Sequence, residues 1–467
     1  MSPSNILALV NGQSARVCVI EESRILTWTL STSGESVAVS FDNVVACLPG
    51  HGDKFAYLMI ILHEISASSA DSPAHTYHKL TSIRLNDIPE CFLAKFICTE
   101  PKHLQQQPTG FPIVHVIVST AAGTGRALAF YEQVLKHLLD LLNVKSYETH
   151  TTSSASSISE FATQVLLPLA LEGKAQTVIL LSGDGGLVDM IKSFASCRHG
   201  VFVAPIVAMI PVGTGNASAN SSQFRDMTEG LSTLVRGHPR PLPMLAVRLS
   251  AGSVYVVNEG HDREPLSRNS ASGSHHTVYG AVVLSWGLHA SLVADSDTTF
   301  YRKFGSERFK MVATDLLKSL DENKEGHYRG KIRYTRNDPT TGELKRGTIG
   351  SDSHMYTLVT LVSHLEKNYN ISPLSRPLDG QLHLVHIGHV ASGETMRLVN
   401  LPYENGRHVN DPNVTYEAIE SLRIDFEEPD EQWRRLCLDG QIIAVERDGW
   451  VEVERSDKSF FQLVSRD

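Results

Sequence analysis

The apolar positions change their period along the chain. Up to about residue 100 they fall in short runs of strand length, at 16–20, 36–41 and 57–62, rich in β-branched residues and separated by turn chemistry. Residues 92–97 read as a short closing helix or strand. From 111 to about 237 strand and helix periods alternate. A Val/Ile run covers 111–118. Leu128, Tyr131, Leu135, Leu138 and Leu142 make the apolar stripe of a helix over 127–142. A second helix covers 159–171, an apolar run covers 177–181, and Leu187, Met190, Ile191 and Phe194 then repeat at helical spacing. Such alternation predicts βαβ units and a parallel sheet. After Pro239, Pro241 and Pro243 the runs at 245–249, 253–258, 278–285, 331–334, 355–361, 382–387 and 450–453 are strand-like. The expected fold class is α/β: a nucleotide-binding domain with a parallel sheet, then a mainly antiparallel β-sandwich domain, preceded by a small β-rich region. The expected boundaries are 1–104, 111–240 and 241–467, with a linker over 101–110, a mobile insertion over 261–276 and a hairpin turn over 335–350.

Composition narrows the classes. The chain has 467 residues, 42% hydrophobic and 20% charged, which is enough apolar material for a packed core and argues against global disorder. A net charge of −9 disfavours a general nucleic-acid binder. The six cysteines contain no C-x-x-C pair, and no cysteine–histidine cluster has metal-ligand spacing. This pattern fits a reducing compartment. The N-terminus lacks the basic-then-apolar profile of a signal peptide, and no run approaches the ~18–20 apolar residues of a membrane span. The expectation is a cytoplasmic protein that reaches any lipid by peripheral contact, with a homodimer left open.

The chemistry concentrates in two glycine turns, each between a strand and a helix: Ser182-Gly183-Asp184-Gly185-Gly186 and Pro211-Val212-Gly213-Thr214-Gly215-Asn216. Backbone approaches a phosphate closely only where no Cβ intrudes, and a helix start adds free N–H groups. The pair reads as a nucleotide phosphate cradle with one acid, Asp184, beside it. A third turn, Ser119-Thr120-Ala121-Ala122-Gly123-Thr124-Gly125, precedes the first helix. The Ser/Thr run 151–157 reads first as a solvated loop and helix cap.

Ser-Gly-Asp-Gly followed by Pro-x-Gly-Thr-Gly-Asn resembles the paired pattern of the diacylglycerol kinase and sphingosine kinase superfamily, over roughly residues 110–460. The resemblance implies ATP and Mg²⁺ as cofactors and transfer of the γ-phosphoryl group to a lipid hydroxyl. It implies nucleotide contacts from Gly123, Gly125, Ser182, Gly183, Gly185, Gly213, Thr214, Gly215 and Asn216, with Asp184 orienting the hydroxyl. It adds Arg302 and Arg308, from the block Tyr301-Arg302-Lys303-Phe304-Gly305-Ser306-Glu307-Arg308-Phe309, as phosphate ligands, and Asp439-Gly440 as an element returning to the nucleotide. Thr151 or Thr152 would stand where the family has a threonine contact, and Asp189 where it has a second acid. The β-rich region is similar to the pleckstrin-type domains that precede related kinase domains, or else is a strand extension packed on the catalytic core. Departures occur at Ser119-Thr120 in place of Asn-Pro, at Gly186, and at Gln441 in place of an acid. Asp379 reads as turn-forming, and His289 as a packed or surface histidine.

Trp286-Gly287 and the arginine block are similar to sphingoid-base kinases, so a sphingoid long-chain base is the expected acceptor, with diacylglycerol or ceramide as the alternative. A sphingoid ammonium needs a carboxylate partner. Ser291 stands where that acid is expected, and in the longer interval that follows, which holds Asp295 and Asp297, Asp295 is the substitute. Two rival readings are a kinase of the same superfold acting on NAD and a non-catalytic lipid-binding protein on a decayed kinase fold.

Overall fold

The computed structural model describes residues 5–50, 54–69, 72–105, 110, 112–195, 201–266, 275–305, 307–322 and 328–466. Residues 267–274 of the insertion expected at 261–276, and 106–109 of the linker expected at 101–110, lie outside them; the insertion's described flanks are in strands, Asp262–Pro265 and His275–Gly280.

The N-terminal region is one antiparallel sheet of seven strands, closed by the helix Glu90–Phe96. One face of this sheet has its own core, where Trp28, Phe41, Phe92 and Phe96 pack. Val45, Ala46, Leu48, Ile60, Leu62 and Leu80 instead join a cluster with Val116, Phe130, Leu135, Leu138 and Leu231 of the next domain. The sheet therefore shares a core with the domain that follows it.

That domain has the alternating pattern expected of it. The strands Ile113–Val118, Gln176–Ser182 and Ile206–Pro211 pair in parallel, with Glu148–Thr151 at one edge. Their apolar residues point to both faces, because helices cover both sides of a parallel sheet. The helical runs 127–141 and 157–171 each contain a π turn, Tyr131–Leu135 and Ala162–Leu166. Leu128, placed on the apolar stripe, is 43% exposed, whereas Tyr131, Leu135, Leu138 and Leu142 are buried.

The second half is a sandwich of a six-stranded and an eight-stranded antiparallel sheet around the core of Leu245, Trp286, Leu358, Leu384 and Val451. Two features depart from the expected layout. The run at 278–285 is two strands, His275–Gly280 and Val283–Gly287, lying in different sheets. The last strand, Gln462–Ser465, leaves the sandwich and pairs in parallel with Ile206–Pro211, between it and His238–Pro241. The boundary drawn at 240 is thus crossed a second time at the C-terminus. Helices that the strand-like texture had hidden, Leu288–Ser296 and Glu307–Glu322, pack on each other, the first also on the strand Val283–Gly287 of the sandwich.

Candidate active site

In-register pairing of Leu181 with Val118 and of Ser182 with Pro211 ends three parallel strands at one level. The three glycine turns therefore sit together beyond the carboxyl ends of the strands, where open α/β sheets bind ligands. They are packed backbone on backbone. A Cβ on Gly213 would stand 2.5 Å from Gly183 Cα, and one on Gly123, at φ +54°, would stand 2.2 Å from the Val212 carbonyl oxygen. Gly183 and Gly213 are bare because they touch each other. Gly185 differs, because a Cβ there would meet nothing within 4 Å. It borders the cleft, and no protein atom requires its hydrogen.

Asp184 opens the helix Asp184–Phe194. Its Oδ2 accepts from Ala217 N–H at 2.5 Å and its Oδ1 from Ser218 N–H at 2.9 Å, which ties the first turn to the start of the helix after the second. Burial raises its carboxyl above the ordinary carboxylate range, and these amides oppose the shift. Asp189 lies one and a half turns further on in the same cleft, and burial pushes its carboxyl up to about 6 against the pull of Lys192.

The second turn holds itself in shape. Asn216 is left-handed at φ 53° and its Nδ2 donates to the Gly213 carbonyl at 2.8 Å. Asn220, which the sequence did not single out, is buried and donates to the Gly215 and Asn216 carbonyls at 2.7 and 2.9 Å. Its only sequence signal is a polar residue at i+4 from Asn216. Thr214 is exposed at the tip. The departures also find partners. Thr120 N–H donates to Thr152 Oγ1 at 3.0 Å, and Thr120 Oγ1 donates to the Thr152 carbonyl at 2.9 Å. Both residues line the cleft, and Thr151 does not. Gly186 faces Ser182, whose Oγ would lie 2.6 Å from a Cβ there.

The opposite wall comes from the sandwich. Leu288, Leu292 and Val293 line it, together with Arg308, Met396 and Val399. Arg308 stacks on Phe309, with its guanidinium carbon 4.7 Å from the ring centre, and its Nε has no hydrogen-bond partner among the described residues. The side chain of Arg302 lies outside the described residues. His289 also faces the cleft. Its Nδ1 bonds Ser285 Oγ at 2.7 Å, and burial pushes its imidazole down to about 4, so it is neutral at pH 7. Trp286 is a core residue, fully buried, its Nε1 donating to the Trp433 carbonyl at 2.8 Å.

Asp439 and Gly440 border the cleft in a left-handed turn, at φ 50° and 88°. The Asp439 carboxylate accepts from Ala281, Val282 and Val283 N–H at 2.6, 3.0 and 2.7 Å. These are the amides freed where the chain switches sheets, and buried backbone donors need partners. Burial pushes this carboxyl up to about 6 despite three donors, with Asp184 adding to the rise. Gln441 begins the next strand, Gln441–Ala444.

The residues expected to meet the substrate point elsewhere. Ser291 is 1% exposed and its Oγ accepts from the buried Tyr328 hydroxyl at 2.9 Å. Asp295 is paired with Arg435 at 2.7 Å. Neither lines the cleft.

Residues 113–247 match the family model of the diacylglycerol kinase catalytic domain. The chain carries that domain and is a lipid kinase. No curated protein matches the sequence. Among solved structures, it is similar to three that carry the designation diacylglycerol kinase, provisionally in two cases, from Bacillus anthracis str. Sterne. One is 14% identical, with 76% of this chain and 97% of that one covered and a TM-score of 0.48. The second is 13% identical, with 76% and 96% covered and a TM-score of 0.45. The third is 14% identical, with 76% and 97% covered and a TM-score of 0.47.

Proposed function

We propose that the chain transfers the γ-phosphoryl group of ATP to the hydroxyl of an uncharged membrane lipid of the diacylglycerol or ceramide kind. The observation that carries the reading is one cleft, of about 1540 Å³, with the three stacked glycine turns and Asp184 on one wall and Arg308 with Leu288, Leu292 and Val293 on the other. Single small-molecule sites commonly span roughly 300–1,000 Å³, so this cleft has room for a nucleotide and part of a second substrate.

The residues fit a nucleotide at two points. Gly185 leaves open space at a helix start, and the Arg308 Nε lacks a partner among the described residues. Mg²⁺, bound with the nucleotide, would supply charge neutralisation, and Asp184 and Asp189 are the acids placed to hold it directly or through water. Gly185 backbone and Arg308 take the phosphates, Arg308 offsetting charge as it develops on the transferred group. Asp184 orients the acceptor hydroxyl, its two oxygens held in place by the Ala217 and Ser218 amides. Its raised carboxyl brings it nearer to the range where it also accepts the proton.

The uncharged acceptor is favoured over the sphingoid base because the expected ammonium partner, Asp295, is already held by Arg435. An ammonium beside Leu288, Leu292 and Val293 would not have the Asp295 carboxylate as its counter-charge. Among the described residues no helix is long and apolar enough to cross a membrane. Contact with lipid is assigned to the segment that precedes Arg308, where Phe300 is 59% and Phe304 43% exposed. The N-terminal sheet and its helix are read as a pleckstrin-type domain, and the location as cytoplasmic with peripheral membrane association.

The test is turnover of labelled ATP on diacylglycerol, ceramide and sphingosine in detergent micelles, for the wild type and Asp295→Asn. Phosphorylation of a neutral lipid, with its Michaelis constant unchanged in Asp295→Asn, is expected. Sphingosine as the sole acceptor, with a raised Michaelis constant in that variant, would overturn the choice of acceptor.

A further inference from the structure

The free edge of the parallel sheet carries a second cluster of chemistry. Glu148–Thr151 pairs with Ile113–Val118 so that Glu148 stands opposite His115 and His150 opposite Ile117. A strand repeats its face every second residue, so Glu148 and His150 share a face with each other and with His115. His115 Nδ1 lies 3.5 Å from Glu148 Oε2, and His150 Nε2 lies 3.7 Å from the same oxygen. One ligand atom from each of the three residues lies within 4.8 Å of the others.

The imidazoles are built in. His115 is 1% exposed, and neither of its ring nitrogens has a hydrogen-bond partner among the described residues; the same holds for His150 Nε2. Phe161 fixes both rings, with centroids 3.8 Å from His150 and 5.4 Å from His115. Glu148, with its side chain 63% exposed, leaves one side open to solvent. Neutral imidazole and carboxylate are the donor set of zinc-class ions.

We propose that His115, Glu148 and His150 form a binding site for a divalent transition-metal ion of the zinc class, completed by water on the exposed side. Tetrahedral ligation at roughly 2.0–2.1 Å places donor atoms about 3.3 Å apart. Two of the three separations are within a few tenths of an ångström of this; the third, between the two imidazoles, is under 4.8 Å and is set by how the rings turn on binding. A metal-bound imidazole needs an acceptor for its other N–H. Gln176 lies beside His115, its Nε2 committed to the Leu166 carbonyl at 3.0 Å and its buried Oε1 unpartnered. The site is separate from the nucleotide cleft, which none of the three residues lines. It clips the edge strand to the sheet two residues before Thr152, which holds Thr120 at the cleft.

The full chain, stripped with chelator and free of nucleotide, is titrated with Zn²⁺ by calorimetry and with Co²⁺ by visible absorption. One ion per chain, with a rise in melting temperature, is expected. Glu148→Gln and His150→Gln, both at the accessible side, should leave the metal-free melting temperature near that of the wild type. Each should weaken binding at least ~10-fold, since loss of even an outer-shell partner costs about that much. Absence of Zn²⁺ or Co²⁺ binding to the wild type overturns the proposal. So does unchanged stoichiometry and affinity in the Glu148→Gln/His150→Gln double variant, which would assign the ion to other residues.

Discussion

Gly183 and Gly213 meet through bare backbone: a Cβ on Gly213 would lie 2.5 Å from Gly183 Cα, and one on Gly183 would lie 3.1 Å from Gly213 Cα. The two turns thus form one body, and Asp184, the next residue, locks it by accepting the Ala217 and Ser218 amides. Packing accounts for Gly183 and Gly213 and leaves Gly185, within the same motif, free of any such demand.

Gly213→Val and Gly185→Ala should therefore fail in opposite ways. The first collides with backbone and should cost about 3 kcal/mol or more, as a strained, overpacked site does. The second should leave stability unchanged or raise it by about 0.5–1 kcal/mol, since alanine suits a helix better, while weakening ATP binding. Thermal unfolding and ATP titration on both variants check this. Normal ATP affinity in Gly185→Ala would remove that turn from the cradle.

Asp184→Asn should abolish turnover and leave ATP affinity within a few-fold. The amide presents N–H₂ to one of two backbone donors, so stability should also fall by about 1–3 kcal/mol. Initial rates together with melting curves separate the two effects. Turnover near that of the wild type would refute the role of Asp184 in catalysis.

Arg308→Ala should raise the barrier to phosphoryl transfer by roughly 2–4 kcal/mol, as loss of other electrostatic stabilisers does. Stability should change by only about 0.5 kcal/mol, because the side chain forms no ion pair among the described residues. Single-turnover kinetics distinguishes this from a solvated basic face, which would leave the rate unchanged.

Asp189 supplies a pH dependence with a definite sign. Its folded carboxyl titrates at about 6, above its ordinary value of 3.8. The contribution to stability is therefore whole below about pH 4 and is lost as pH rises through 6. Asp189→Asn should be neutral at pH 4 and should stabilise at pH 7.5 by about 1–2 kcal/mol, allowing for partial solvent screening. Chemical unfolding at both pH values measures it; equal effects at both would show that the shift is absent.

Phe300→Ser with Phe304→Ser should reduce sedimentation with lipid vesicles several-fold while turnover on detergent-dispersed lipid stays near that of the wild type. Their rings, 5.6 Å apart, form an exposed apolar pair. Unchanged sedimentation would move the membrane contact elsewhere.

What the sequence determined by itself was local. Period-3.6 stripes, β-branched runs and glycine turns report interactions within a few residues, so the parallel sheet, its helices and the three turns were legible, as was Asp184 at a helix start. Helices such as Leu288–Ser296 were hidden because they are apolar on several sides and follow a strand without a break. Tertiary structure decided everything that depends on register or on which face turns inward. It set Gly183 against Gly213, thirty residues apart, and brought the amides of Ala217 and Ser218 to Asp184. It gave Asp439 to the sheet-switching backbone at 281–283, turned Ser291 toward Tyr328, and spent Asp295 on Arg435. It also placed His115 opposite Glu148, a pairing fixed by parallel strand register and by no spacing that a single strand carries. Side-chain chemistry is written in the chain, but a carboxylate's partner is chosen by whichever donor packing leaves unpaired beside it.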